Sequence, residues 1–247
     1  YPHADVKFLT IVMMEKRRQR KLVLTDAVFS MDGDIAPLAE LATLSAEQQA
    51  CLIVDDAHGF GVFGDRGAGV LESLGLGQTE VPVLMATFGK AVGCAGAFVA
   101  GTKDMIELLV QRGRPYIYST ALAPALAVAA TEGLRILERE MWRREHLFML
   151  IKRFRKAARQ LGLPLQNSPS PIQPIIVGSA DRAIAISDAL LNANILITAI
   201  RPPTVPKNTS RLRITFSANH TKEDVDILLT ALVECCAEEI KETEIDV

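Results

Sequence analysis

The sequence predicts an α/β fold, a mostly parallel sheet flanked by helices, with a smaller α+β domain towards the C-terminal end. Three observations carry this. Runs that are apolar throughout, such as Leu22-Val23-Leu24 and Leu52-Ile53-Val54, alternate with helical stretches in the first half, as strands of a parallel sheet do. Each run ends in polar residues. From Leu165 the pattern changes, because Pro164, Pro169, Pro171 and Pro174 punctuate an extended region before shorter strands and helices follow.

Taken in order, Leu22 to Asp26 is a buried strand with a polar end, and Asp32-Gly33-Asp34 is a turn. Ala36-Pro37-Leu38 opens an amphipathic helix running to about Gln48, proline being tolerated at a helix start. Cys51 to Val54 is the next strand, and a glycine-rich loop follows it. Val83 to Thr87 and Ala97 to Gly101 are two more strands. Met105 to Arg112 reads as helix, and Pro124 to about Leu150 as one or two longer helices. In the second half, Ile175 to Val177 is a strand and Arg182 to Asn194 a helix. Ile195 to Ile200 is a strand, 202 to 206 a proline-rich loop, and Arg211 to Ser217 alternates like a half-buried strand. Lys222 to Glu239 closes the chain as an amphipathic helix. We place the boundary so that 1–135 belong to a large domain and 136–247 to a linker helix and a small C-terminal domain.

Lys plus Arg number 27 against 29 for Asp plus Glu, so no overall field favours nucleic acid or an anionic membrane as partner. The basic run Lys16 to Lys21 carries no interleaved aromatic residues and reads as a solvated turn before a strand. Cys51, Cys94, Cys235 and Cys236 have neither metal nor C-x-x-C spacing, which predicts reduced thiols, no metal and a cytoplasmic location. No apolar run approaches the roughly 20 residues of a membrane span. Tyr1-Pro2-His3-Ala4-Asp5 reads like the middle of a longer chain.

Ligands of open α/β sheets bind beyond the carboxyl ends of the strands. Three such ends are polar: Asp26 with Ser30 beyond it, Asp55 with His58, and Thr87 with Lys90. Lys90 lies among Gly, Ala and Cys; on this segment alone a surface-loop lysine stays open, and the phosphate-loop pattern is absent. Together the three ends suit an aldehyde cofactor with a pyridine ring. A partly desolvated lysine amine forms a Schiff base, a carboxylate keeps the ring nitrogen protonated, and small hydroxyls and glycine amides suit a phosphate. Asp56 reads as a structural hydrogen-bonding group. His146 and His220 read as exposed histidines, Trp142 as packing between domains, and Cys235-Cys236 as buried helix surface.

Asp55-Asp56-Ala57-His58-Gly59-Phe60-Gly61 followed by Thr87-Phe88-Gly89-Lys90 resembles the α-oxoamine synthases, pyridoxal-phosphate enzymes of the aspartate aminotransferase fold. Val28 to Asp34, Tyr118-Ser119-Thr120 and residues 199–221 are similar to the same family, along essentially the whole chain. The resemblance implies the fold type I of PLP-dependent transferases, with pyridoxal 5'-phosphate as cofactor and 1–135 as the later part of its large domain. It implies that Lys90 anchors the cofactor, Asp55 pairs with the ring nitrogen, and His58 and Ser30 lie on its phenolic-oxygen side. Thr87 would meet the phosphate, and Thr120 would reach it from the neighbouring subunit of a homodimer. Arg213 would grip the amino-acid carboxylate, and Arg201 and Thr204 would lie on the substrate loop. The segment 199–221 further implies decarboxylative condensation of L-alanine with a pimeloyl-thioester, carried by coenzyme A or acyl carrier protein, in biotin biosynthesis. Two alternatives stay open: a glycine-using member of the family (2-amino-3-ketobutyrate ligase or 5-aminolevulinate synthase) and a non-catalytic partner subunit. The family's chains begin upstream of Tyr1, so this chain is expected to be the later portion of a longer enzyme and to be catalytically incomplete alone.

Overall fold

A computed structural model of the chain describes residues 1–15 and 20–236. The described residues form two compact units, one of Tyr1–Val28 with Ala36–Met141, the other of Phe29–Ile35 with the chain from Trp142 onwards.

The first unit opens with helix α1 (Val6–Glu15), which the sequence reading did not anticipate. Its Leu9 and Met13, four residues apart, bury one face, as helical spacing requires. Lys16 to Gln19 of the basic run lie outside the described residues; Arg20 is exposed, and Lys21 opens strand β1 (Lys21–Asp26), its amine donating to Gln48 Oε1 at 3.1 Å. Helix α2 (Leu38–Glu47) buries Leu38, Leu41, Ala42, Leu44 and Ser45 and packs on strand β2 (Ala50–Asp55). A short helix α3 (Val70–Leu74) interrupts the glycine-rich loop before strands β3 (Val83–Thr87) and β4 (Ala97–Gly101). The strand order is β1-β2-β3-β4, parallel except for β4, which returns antiparallel to β3. On β1 the alternation is sharp: Val23 is 4% exposed, Leu22 and Leu24 65% and 63%, so one face is packed. Helices α4 (Lys103–Arg112), α5 (Arg114–Ile117) and α6 (Pro124–Arg139) complete the unit. Thr102 caps α4 by accepting the Met105 amide, which fixes where that helix starts.

The second unit is a three-stranded antiparallel sheet with helices. Helix α7 (Trp142–Gln160) buries Leu147, Leu150, Ile151, Phe154 and Ala158 on one side. Strand β5 (Ile172–Gly178), helix α8 (Ala180–Asn192), strand β6 (Thr198–Ile200), strand β7 (Ser210–Thr215) and helix α9 (Lys222–Cys235) follow, with β7 central in the order β5-β7-β6. The last residues expected for α9, 237–239, lie outside the described ones. Thr221 and Asp224 form a reciprocal capping box that sets the start of α9. Two expectations need correction. Trp142 keeps 53% of its surface exposed, with the Arg143 guanidinium 4.7 Å over its ring, instead of packing away. His146 and His220 are half-buried and joined: His146 Nε2 lies 2.8 Å from the His220 carbonyl, and His220 Nδ1 accepts the Ser217 amide.

The proline-rich stretch carries a buried polar network. Gln173, 1% exposed, donates from Nε2 to the Ser170 and Ser168 carbonyls, and its Oε1 accepts from Arg155. Ser168 donates to the Gly33 carbonyl at 2.9 Å, so the 29–35 segment is docked on this stretch. Gly33 has φ +71°, and a Cβ there would meet the Ile172 carbonyl and Ser168 Oγ, each at 2.4 Å. Gly33→Ala is therefore expected to destabilise the protein by at least ~1–2 kcal/mol, since left-handed strain adds to a backbone clash. Chemical denaturation checks this; an unchanged midpoint would show that the segment bends freely.

Candidate active site

The parallel register brings the strand ends of the first unit side by side. Asp26 of β1 is the partner of Asp55 of β2, which faces Met85 of β3. The ladder runs one residue further: the Ala27 amide donates to the Asp55 carbonyl at 2.7 Å, and the Asp56 amide to the Met85 carbonyl at 2.8 Å. Residues paired across a parallel ladder share a face, so the Asp26 and Asp55 carboxylates stand on the same side. Asp55 Oδ1 accepts the Ala57 amide at 2.9 Å, which holds its orientation. Its other oxygen accepts no hydrogen bond among the described residues.

Asp26 is a participant that sequence reading left without a role. Burial and the neighbouring charge of Asp55 raise its carboxyl above the usual range, while Lys90 opposes them. Lys90 is therefore close enough to Asp26 for its charge to be felt. Lys90 itself is exposed, so the partial desolvation expected for it is not supplied by the first unit's own residues. Lys90 sits beyond the end of β3 on a tight turn, the Gly93 amide donating to the Lys90 carbonyl at 3.0 Å.

Asp56 has a different role from its neighbour. It is fully buried, and its Oδ2 accepts the amide of Val70, the first residue of α3, at 2.8 Å. Oδ1 lies against Gly59, where any Cβ would clash with it. Burial pushes the Asp56 carboxyl up to about 7; the Val70 amide opposes this, the Asp55 charge adds to it and the Gly59 amide opposes it.

The remaining candidate residues of this unit are distributed around the same edge. His58 is half-buried in the turn 57–60 that follows β2. Thr87 ends β3, and its hydroxyl donates to the Gly96 carbonyl at 3.0 Å and accepts the Gly89 amide at 3.1 Å. Meeting a phosphate would require Thr87 to give up its bond to Gly96, a hydroxyl having one proton to donate. Thr120 is exposed just after α5, in a stretch where Tyr116 and Tyr118 are 69% and 79% exposed.

In the second unit, Ser30 and Arg213 meet. Arg213, on central strand β7, donates from Nε to the Ser30 carbonyl at 2.6 Å and from a terminal nitrogen to Thr215 Oγ1 at 3.4 Å. Burial lowers its pKa from the ordinary value, which marks a guanidinium partly withdrawn from water. Arg201 and Thr204 are exposed and share a turn closed by the Thr204 amide on the Arg201 carbonyl at 3.1 Å. Arg211, two residues before Arg213, is 4% exposed and ion-paired with Asp32. Its alternation with Arg213 in Arg-Leu-Arg was the available signal, but nothing in sequence says which arginine turns inward.

The chain as a whole is similar to known proteins. The family described as aminotransferase class I and II matches residues 1–232. The 8-amino-7-oxononanoate synthase of Pseudomonas putida is 54% identical over 235 residues, 95% of this chain and 60% of that protein. A variant serine palmitoyltransferase from S. paucimobilis, solved with a bound PLP–myriocin aldimine, superposes with a TM-score of 0.90 at 29% identity, over 96% of this chain and 60% of that one. The crystal structure of 8-amino-7-oxononanoate synthase from Francisella tularensis gives 0.81 at 30% identity, over 100% and 68%. The chain thus spans about 60% of the length of the curated relatives it matches.

The raised Asp56 carboxyl has a consequence for stability. In an unfolded chain it ionises near ~3.9, but in the fold it stays protonated up to about 7, so between these the folded chain holds more protons. Its stabilising contribution is complete below about pH 4 and is lost as pH rises through 7, at ~1.4 kcal/mol per unit at most. Asp56→Asn should remove this fall. Urea unfolding at pH 5 and pH 8 checks it: a stability gap between variant and wild type that stays constant would mean Asp56 is already ionised.

Proposed function

The chain belongs to the family of class I and II aminotransferases, and on that premise we propose that its protein is an 8-amino-7-oxononanoate synthase, condensing L-alanine with a pimeloyl-thioester in biotin biosynthesis, with loss of carbon dioxide. The observation that carries the proposal is the 54% identity to a synthase of that name, over a chain in which Asp55 and Thr87 end neighbouring strands, with His58 and Lys90 in the segments that follow them.

Pyridoxal 5'-phosphate fits these residues by donor chemistry: a carboxylate oriented through one of its oxygens, an amine whose charge reaches the neighbouring Asp26, and on the third strand end a Thr87 hydroxyl that could turn from Gly96 to a phosphate. Bound there, the cofactor would supply an electron sink for negative charge formed at the alanine α-carbon. Asp55 would keep the ring nitrogen's proton, because an ionised carboxylate stabilises the cation beside it. Lys90 would hold the cofactor covalently, and its free amine would be the base that takes the proton from the alanine α-carbon. His58 and Ser30 would lie on the phenolic-oxygen side, and Thr87 with Thr120 of a second subunit on the phosphate. Arg213 would bind the alanine carboxylate through its two terminal nitrogens, a fork that matches two oxygens. Arg201 and Thr204 would meet the thioester-bearing partner, coenzyme A or acyl carrier protein.

A homodimer is part of this reading, supported by the exposed apolar stretch around Tyr116, Ile117, Tyr118 and Leu122 beside Thr120. A cytoplasmic location is supported by four free cysteines. No described helix is long and apolar enough to cross a membrane.

The protein purified with pyridoxal phosphate should absorb in the visible, lose that band to borohydride, and release product with alanine in preference to glycine. Preference for glycine would make it a sister synthase, and no reducible band would favour a non-catalytic subunit. Lys90→Ala should abolish both the reducible linkage and turnover while leaving the fold intact by circular dichroism. A variant that still gives a borohydride-fixed cofactor would remove Lys90 from the anchor position.

A further inference from the structure

The 29–34 turn is gripped from β7 by two arginines rather than one. Residues two apart on a strand face the same way, so Arg211 and Arg213 reach the same turn. Arg211 pairs with Asp32 and donates to the Met31 carbonyl at 3.4 Å and the Thr209 carbonyl at 3.1 Å. Arg213 reaches the next residue back, the Ser30 carbonyl. The turn is also braced internally, with the Gly33 amide on the Phe29 carbonyl at 2.7 Å and the Phe29 amide on the Asp34 carbonyl at 3.0 Å.

A guanidinium on a long side chain has many rotamers, and its Nε bond selects one of them. With Nε held by Ser30, the edge formed by the two terminal nitrogens has a set direction. The position of that carbonyl in turn depends on what holds the turn against β7. Arg211 is too buried and too fully engaged to receive a ligand itself.

We propose that the Arg211–Asp32 pair is a positioning element for substrate: it holds the 29–34 turn so that the Ser30 carbonyl orients Arg213 to receive the amino-acid carboxylate. This rests on the reading of Arg213 as the carboxylate-binding residue. Asp32→Asn leaves the buried Arg211 guanidinium without its counter-charge, and Arg211→Lys gives up the fork that also reaches the Met31 and Thr209 carbonyls, so the turn should loosen in either variant.

The test titrates L-alanine into the cofactor-loaded protein by absorbance, with no thioester present. Asp32→Asn and Arg211→Lys should each raise the dissociation constant about tenfold, roughly one charge-assisted hydrogen bond. In an Arg213→Ala background neither should weaken alanine further, because their effect passes through Arg213. In the cofactor-free protein, amide hydrogen exchange at Phe29 and Gly33 should quicken in both variants. Losses that add to that of Arg213→Ala, wild-type affinity in both pair variants, or unchanged exchange would each overturn the proposal. Should Arg211→Lys not fold, Asp32→Asn carries the test alone. Arg213→Ala with wild-type alanine affinity would instead refute the carboxylate reading and the proposal with it, whereas an impaired Arg213→Ala beside unimpaired pair variants would refute only the positioning role.

Discussion

The register of β1, β2 and β3 is the constraint on which the first unit's chemistry depends. Asp26 lies opposite Asp55 only because Lys21 pairs with Ala50 five residues earlier, and every pair between keeps step. A slip of one residue would turn Asp55 to the other face and bring Asp56 in its place, since side chains alternate along a strand. The two adjacent carboxylates therefore receive opposite environments from one backbone. Asp55 is aimed outwards and braced by its own loop, while Asp56 is enclosed and tied to the start of α3. Apolar burial sets that register: Leu52 and Val54 are fully buried beneath the same sheet edge.

Much of this was legible in the residues. Apolar runs with polar ends located β1, β2 and β3, and Ala36-Pro37-Leu38 located the start of α2 to within a residue or two. The misses have physical reasons. Helix α1 begins at a terminus with no capping signal that the apolar pattern could confirm, and α3 is a single turn among glycines. β5 begins at Ile172, three residues before the expected start, because the ladder runs on through Pro174, which lies opposite Arg213. Asp26 and Arg211 could not be assigned from sequence at all. Each gains its meaning from a partner 29 or 179 positions away in the chain, Asp55 for one and Asp32 for the other.

Ionisable groups occupy the two units in different ways. In the first, like charges are brought together at Asp26 and Asp55, with Asp56 behind them, and burial forces protons onto part of the cluster. Such crowding costs folding energy and is the usual mark of groups arranged for chemistry. In the second, opposite charges are joined. Arg211, itself buried, meets a partly exposed Asp32, and Arg153 meets Asp226 at the surface through two bonds, a pair of small consequence for stability.

The 29–35 segment gives the second unit a history as well as a shape. Gly33 and Ser168, hydrogen-bonded in the fold, are 135 residues apart in the chain. At a synthesis rate of ~5–20 residues per second, the turn leaves the ribosome roughly ten seconds before its docking site exists. During that interval β1 and β2, which lie on either side of it, can pair and hold it as a closed loop. Closing the second unit then means capturing a loop already tethered at both ends, and the entropic cost of that capture grows only slowly with the length of chain between the partners. It also follows that severing the chain between Met141 and Trp142 would yield no self-sufficient second piece, since its turn would remain with the first.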